Sequence, residues 1–309
     1  MTATVLNPSP IAKAYLDKVR KDVTALVEKG RRRPRILGLL GQEDGPAATY
    51  ARYAQRGCEA AGIELDVEHV QAHEVEARIA AANIDPEVDG IFLYYPLMDR
   101  ANDRWLRELV DPRKDVEGMH SFWARLLYEN HRHVDAGHEL RAILPCTPLA
   151  ILKLLQHAGL PTHRVGDEPP LAGITACVIN RSELVGRPLA AMLANDGARV
   201  HSLDVDGAIT FEPAIGRRTF DVTDSGIDRA GALASADIVI SAVPSRDFEL
   251  IRGDEIREGA ICVDVAEFTN FDQSVLERAS VFVPRVGPLT VAMAARNLPR
   301  LLRLRSERA

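Results

Sequence analysis

Short apolar runs alternate with longer amphipathic ones along most of the chain. The runs RILGLL, DGIFLYYPL, ITACVIN, ARVHSLDV, ADIVISAV and AICVDVA are brief, aliphatic or β-branched, and bounded by Gly, Asp, Asn or Pro. Such runs predict strands buried on both faces, as in a parallel sheet. Between them, AATYARYAQRGCEAAG, HEVEARIAAAN, TPLAILKLLQHAGL and RPLAAMLANDG carry helical periodicity. The alternation of strand and helix predicts βαβ units and an α/β fold.

A boundary is expected near residues 141–170, where TPLAILKLLQHAGL leaves one unit and the polar stretch PTHRVGDEPPLAG precedes a fresh strand. The final segment, GPLTVAMAARNLPRLLRLRSERA, reads as a basic amphipathic helix with no strand after it. It is expected to pack back on the first domain, its arginines facing solvent. The stretch GAITFEPAIGRRTFDVTDSGIDRAG is too polar for a core and is read as irregular.

Composition narrows the function. At 309 residues the chain suits two domains, and 46% hydrophobic with 27% charged residues suits packed cores with a solvated surface. A formal net charge of -6 argues against a nucleic-acid partner, which needs a positive surface. Cys58, Cys146, Cys177 and Cys262 lie far apart with no CxxC pair, so no metal spacing appears and buried reduced thiols are expected. No apolar stretch approaches the roughly 20 residues needed to span a bilayer, and no leader pattern is visible. These features predict a soluble, cytoplasmic protein with no membrane partner.

ITACVIN followed by RSELVGRPLAAML reads as strand, tight loop and helix. Pro188 suits an early helical position, and a helix N-terminus suits a pyrophosphate. Only Gly186 marks the loop, so the full glycine fingerprint is absent. The next strand ends at Asp204, about 20 residues further on, where a carboxylate accepts from adenosine ribose hydroxyls and repels a 2′-phosphate. Asp206 competes for that role. Arg181 pulls the other way, since its guanidinium could grip a 2′-phosphate or assist the pyrophosphate. The balance favours NAD over NADP.

Several phrases, in order, resemble the methylenetetrahydrofolate dehydrogenase/cyclohydrolase family: TYARYAQRGCEAAGI, DGIFLYYPL, PRKDVEGMH, LPCTPLAILKLL, INRSELVGRPLAAMLANDGARV, ADIVISAV and VGPLTVAM. The likeness spans roughly residues 34–301. It implies an N-terminal α/β catalytic domain (1–149), a Rossmann-type dinucleotide-binding domain (150–285) and a C-terminal helix (286–309) returning to the first domain. It also implies a homodimer. Tyr50 matches the tyrosine that stacks on the aminobenzoate of folate, and Glu117 aligns with the aspartate that grips the pterin; these two take the catalytic positions. Tyr94, Gly287, Pro288 and Thr290 complete the implied substrate site, the last three as a turn before the last helix. Pro145, Cys146, Thr147 and Pro148 shape the hinge below it, and Asp115 braces the loop. The implied NAD site comprises Asn180, Arg181, Ser182, Val185, Gly186, Pro188, Asp204, Val243 and Pro244.

Two departures change the expected chemistry. The family's cyclohydrolase lysine, one helical turn after the tyrosine, is Ala54 here, which has no proton to move. Its supporting glutamine is replaced by Tyr94. Arg56 lies two residues beyond Ala54 and is rotated off that face. The sequence is especially similar to the family's monofunctional, NAD-dependent branch, also through Asn180 in place of a loop glycine. NAD-dependent oxidation of 5,10-methylenetetrahydrofolate without cyclohydrolase activity is the expectation. The rivals are a bifunctional NADP-linked enzyme and a non-catalytic folate-binding relative.

Overall fold

The alternation of apolar runs and amphipathic stretches folds, in the computed structural model, into two α/β units. Residues 2–161, 168–214 and 219–306 are described, apart from the side chains of residues 100 and 101. Part of PTHRVGDEPPLAG and part of the stretch read as irregular therefore lie outside the described residues. In chain order the elements begin β1 (Thr4–Val5), α1 (Pro8–Glu28), β2 (Arg35–Leu40), α2 (Pro46–Ala60), β3 (Glu64–His69), α3 (Val75–Ile84), β4 (Gly90–Tyr94), α4 (Arg100–Leu109) and α5 (Ser121–Tyr128). They continue with α6 (Cys146–His157), β5 (Thr175–Ile179), α7 (Gly186–Asn195), β6 (Arg199–Asp204), β7 (Gly207–Ala214), β8 (Thr219–Asp224), α8 (Arg229–Ser235), β9 (Ile238–Ser241), β10 (Ile261–Asp264), β11 (Val281–Val283) and α9 (Gly287–Ser306).

One unit comprises Ser9–Leu126, His131–Cys146 and Gly287–Ala309. Its sheet is parallel with order β3-β2-β4, so β4 is an edge. Side chains alternate between the faces of a strand, and the sequence uses both. Leu37, Leu39, Ile91 and Leu93 pack with Val75, Ile79 and Leu106 on one side. The other side carries Gly38, Phe92 and Tyr94, where a Cβ on Gly38 would lie 2.8 Å from the Tyr94 ring. α9 belongs to this unit, as the sequence predicts, and Arg305 near its end donates to Asp89 Oδ1 at 3.1 Å beside the start of β4.

The other unit comprises Met1–Pro8, Leu127–Asn130 and Thr147–Val286. Its eight-stranded sheet runs β1-β11-β10-β9-β5-β6-β7-β8, parallel from β1 to β6. The chain passes from β5 to β6 on one side and then returns to β9 on the other. The C-terminal end of β5 is therefore a topological switch point, the usual ligand position of open α/β sheets. The buried layer over this sheet includes Cys177, Val239, Leu233, Ile251 and Cys262.

Two expectations need correction here. The stretch read as irregular forms β7 and β8, an antiparallel ribbon on β6 with Ile209 opposite Asp224. Polar residues suffice there, because an antiparallel edge with one solvated face needs no continuous apolar run. The first residues, assigned by sequence to the N-terminal domain, instead join the eight-stranded sheet: Thr4 and Val5 pair in parallel with Val281 and Phe282 of β11. α1 also went unread, although Ala12, Val19 and Val23 are buried on one of its faces.

All four cysteines are free and buried. Among the described residues no helix is long and apolar enough to cross a membrane.

Candidate active site

The edge of β4 builds the first half of the site. Its open backbone groups take up the KDVEG loop: Ile91 N–H donates to Lys114 O at 2.7 Å, and Leu93 N–H donates to Glu117 Oε2 at 3.2 Å. Asp115 is buried and accepts from the N–H groups of Glu117, Gly118 and His120, at 3.1, 2.9 and 2.8 Å. It braces the loop, and Glu117 is left to present its carboxyl group. Part of Glu117 stays exposed, but its carboxyl is enclosed by protein atoms. Burial, and then the neighbouring Asp115, push its pKa up to about 8, against the lowering effect of the Leu93 N–H.

Tyr50 on α2 and Tyr94 at the end of β4 stand beside that carboxyl, which acts on the ionisation of both. The Tyr50 ring meets Phe92 edge-on at 6.0 Å, and Phe92 stacks on Tyr94 at 4.5 Å. Burial raises the pKa of both tyrosines, so both hydroxyls are neutral donors. Ala54, one turn after Tyr50, is buried and apolar. Arg56 is exposed and faces a groove between α1 and α2.

The structure thus brings Tyr50, Tyr94 and Glu117 together, and it treats the other three substrate-site residues differently. Gly287, Pro288 and Thr290 form the first turn of α9 rather than a turn preceding it. A proline early in a helix loses nothing by lacking an N–H, and the apolar periodicity runs straight through from Leu289. Pro288 lines the α1/α2 groove, while Thr290 is buried.

Sequence reasoning missed Asn297. Its buried amide donates to Val116 O at 2.9 Å and reaches Cys146 Sγ at 3.5 Å, fastening α9 to the loop that carries Glu117. The only sequence signal is a polar residue on an otherwise apolar helix face.

In the other unit the β5–α7 loop sits at the switch point. Asn180 adopts the left-handed region, φ 80°, and its amide donates to Ala242 O at 2.5 Å, which ties the ends of β5 and β9. That conformation is one that asparagine, like glycine, adopts more readily than other residues. Ser182 Oγ accepts from Val185 N–H and Gly186 N–H at 3.3 and 3.4 Å, and Ser182 O accepts from Arg187 N–H at 2.9 Å. A Cβ on Gly186 would lie 1.8 Å from Asn180 O, so the loop closes only over a glycine. Pro188 is buried in the first turn of α7.

Asp204 ends β6 with its carboxylate fixed, accepting from Arg181 N–H at 2.5 Å and from Val205 N–H at 2.7 Å. Asp206, the competing candidate, is exposed in the turn between β6 and β7. The Arg181 guanidinium is engaged with Ser202 Oγ, Ser202 O and Gly207 O. Its partners are all neutral, so its charge is held beside the β6–β7 turn without being cancelled.

At the end of β9, Val243 N–H donates to Asn270 Oδ1 at 2.9 Å, and Asn270 donates to Val243 O at 3.1 Å. Pro244 follows, exposed. Asn270, also missed from sequence, is wholly buried, and its N–H donates to the Asp264 carboxyl, which burial pushes up to about 6. A glycine-only tight loop before a helix, at a switch point with a strand-end carboxylate beside it, fits a dinucleotide.

Comparison with known proteins agrees with both halves. Residues 6–117 match the catalytic domain of tetrahydrofolate dehydrogenase/cyclohydrolase, and residues 145–212 match its NAD(P)-binding domain. The methylenetetrahydrofolate dehydrogenase [NAD(+)] of Schizosaccharomyces pombe is 36% identical over 300 residues, covering 96% of this chain and 92% of its own. The chain belongs to the tetrahydrofolate dehydrogenase/cyclohydrolase family. Within that family, the enzyme of the same description from Dictyostelium discoideum is 36% identical over 297 residues, covering 96% of this chain and 93% of its own. The solved structure of the NAD-dependent 5,10-methylenetetrahydrofolate dehydrogenase from Saccharomyces cerevisiae superposes with a TM-score of 0.92 at 34% identity, covering 99% of both chains.

Proposed function

We propose that this member of the family oxidises 5,10-methylenetetrahydrofolate to 5,10-methenyltetrahydrofolate with NAD and does not hydrolyse the product. The observation that carries the reading is the Tyr50–Tyr94–Glu117 group with a buried alanine at position 54. It retains an aromatic face and a carboxyl for the pterin but has no ionisable side chain where a hydrolytic step needs one.

The chemistry asks little proton transfer of the protein. A C–H bond of the methylene carbon breaks with both electrons leaving as hydride, and the adjacent nitrogen lone pairs stabilise the cation left behind. Bound NAD supplies the hydride acceptor. The chain's residues must orient the reactants and exclude water. Tyr50 offers its ring to the aminobenzoate. Glu117, as a carboxylate, accepts from the pterin's amino and ring N–H groups, contacts that are strong and oriented when the acceptor is charged. In the other unit the 181–188 loop takes the pyrophosphate, and Asp204 takes the ribose hydroxyls. The reading includes a homodimer, resting on the family resemblance and testable by sedimentation.

The test is a paired assay of the purified protein on 5,10-methylenetetrahydrofolate with NAD or NADP, followed by incubation with methenyltetrahydrofolate. NAD reduction without hydrolysis supports the proposal. Hydrolysis above the uncatalysed rate, or a preference for NADP, removes the corresponding half of it.

A further inference from the structure

Asn297 stands mid-way along α9 with Ala294, Leu298 and Leu301 buried around it, and it is itself wholly buried. An amide in such a place costs stability unless its polar groups are bonded. One half of this amide is used and the other is not. Nδ2 donates to Val116 O at 2.9 Å and lies 3.4 Å from Leu144 O and 3.5 Å from Cys146 Sγ. Oδ1 has no partner among the described residues. A leucine of similar size would fill the position without a buried acceptor left unpaired. The packing of α9 alone therefore gives no reason for an amide here.

What the amide holds is one peptide plane. Val116 O belongs to the peptide that leads into Glu117, and fixing the oxygen of a planar peptide fixes the direction in which the Glu117 side chain leaves the backbone. Cys146 closes the same frame: its Sγ donates to Val116 O at 3.3 Å and its N–H donates to Glu117 O at 3.2 Å. The frame has little slack. A Cβ on Gly90 would lie 2.5 Å from Val116 Cγ1 and 3.2 Å from Leu298 Cδ1, and a Cβ on Gly118 would lie 2.8 Å from the Leu144 backbone. We infer that Asn297 is a positioning residue for folate binding, holding the Val116–Glu117 peptide so that the Glu117 carboxyl stands in the pterin site. The inference rests on the folate-oxidising reading proposed above. It deepens that reading by placing a determinant of folate affinity on α9, behind the loop that carries the carboxyl.

The titratable groups that act together with Glu117 are Asp115 in its own loop, Tyr50 on α2, Tyr94 and Tyr95 at the end of β4, Arg107 on α4 and Cys146 at the start of α6. Asn297 adds no charge to that set, so replacing it with leucine alters the carboxyl only through its position. A loosened loop admits water, and the burial that raises the Glu117 pKa weakens.

Carboxyl-carbon NMR of the ligand-free full chain, with Glu117→Gln to assign the signal, reads this directly. The parent should titrate near pH 8 and Asn297→Leu below about pH 7. Asn297→Asp keeps the parental midpoint, since a carboxyl among carbonyl oxygens stays protonated and retains one donor for Val116 O. Leu304→Ala, buried about 10 Å further along α9, is the control for instability. It should lower the melting temperature and leave the Glu117 midpoint in place. If the leucine variant does not fold, Asn297→Ala carries the same test.

Calorimetric titration with 5,10-methylenetetrahydrofolate, NADH standing in for NAD so that no hydride moves, then links position to affinity. Asn297→Leu should bind the folate about tenfold more weakly than the parent, while Leu304→Ala binds as the parent does. In turnover its KM for the folate should rise by a similar factor, with kcat within about twofold and KM for NAD unchanged. A parental midpoint and affinity in Asn297→Leu would overturn the inference, as would equal shifts in Leu304→Ala. A parent that binds no folate, with the midpoint still moving in Asn297→Leu, rejects the folate reading and leaves the hold of Asn297 on Glu117 standing.

Discussion

The rings of Tyr50 and Tyr94 meet edge to face, 6.1 Å apart and inclined by 72°, and neither buried hydroxyl has a hydrogen-bond partner among the described residues. A buried, unsatisfied polar group costs about 1–3 kcal/mol. Two side by side, next to a carboxyl group, are donors that the proposed folate site would use. Tyr94→Phe removes one of them with little change of shape. The ligand-free variant should be more stable than the parent by about 1 kcal/mol, a rise of a few degrees in melting temperature. Its KM for the folate should increase. A thermal scan of the ligand-free protein that shows no gain would mean that the Tyr94 hydroxyl is satisfied.

Glu117 carries a pH signature. Its pKa in the fold is about 8, raised from the ordinary 4.5. In the ligand-free protein at neutral pH the group is therefore mostly protonated, whereas the pterin contact proposed above needs the carboxylate. Folate affinity should rise with pH up to about 8 and then level off, with a proton released on binding at pH 7. Stability runs the other way. Between pH 4.5 and 8 the unfolded chain has released this proton and the folded one has not, so the stabilising contribution present below pH 4.5 is lost as pH rises to 8. Glu117→Gln should flatten the affinity profile at a low value. It should also gain stability over the parent by on the order of 2–3 kcal/mol between pH 5 and pH 8. Calorimetry in buffers of different ionisation enthalpy measures the proton release, and parallel pH profiles for the two proteins would discard the assignment.

Gly186 tests the dinucleotide loop separately from the folate half. Its added Cβ would meet a backbone oxygen at 1.8 Å, and a backbone cannot rotate away as a flexible side chain would. Gly186→Ala should cost at least about 2 kcal/mol and abolish saturation with NAD. Folate binding should persist, because Tyr50 and Glu117 lie in the other unit. Retention of a parental KM for NAD would show that the loop is not the binding element.

The sequence made the interior of the fold legible and left its margins obscure. β2, β4, β5, β6, β9 and β10 are central or doubly covered strands, so burial on both faces writes them as apolar runs. β1 has two residues and depends wholly on β11, some 275 residues away, and such long-range pairing leaves no periodic trace. The β7–β8 ribbon is polar because it lies at an edge. The site divides similarly. Tyr50, Ala54 and Glu117 stand in phrases that single them out and Asp204 at a strand end that does so by spacing, whereas the β4 edge that holds Glu117 and the reach of Asn297 to Val116 exist only once the chain has folded. Pro288 shows the limit of phrase matching: read as part of a turn, it opens a helix.

On the reading proposed above, the cofactor preference rests on two side chains that oppose one another. Asp204 is positioned by two backbone N–H groups and still has lone pairs for ribose hydroxyls, and its charge disfavours a 2′-phosphate. Arg181 is a cation nearby, but it is spent on the oxygens of Ser202 and Gly207. Asp204→Asn keeps the size and removes the charge. It should lower kcat/KM for NAD about tenfold, the worth of one charge-assisted contact, and raise it for NADP. If the gain for NADP comes from Arg181 turning toward the phosphate, the Arg181→Ala/Asp204→Asn double variant will lose that gain while keeping the loss for NAD. If the guanidinium stays on its carbonyl partners, the double variant will match Asp204→Asn, and relief of repulsion alone explains the change. An Asp204→Asn protein with the parental NAD/NADP ratio would remove the carboxylate from cofactor selection altogether.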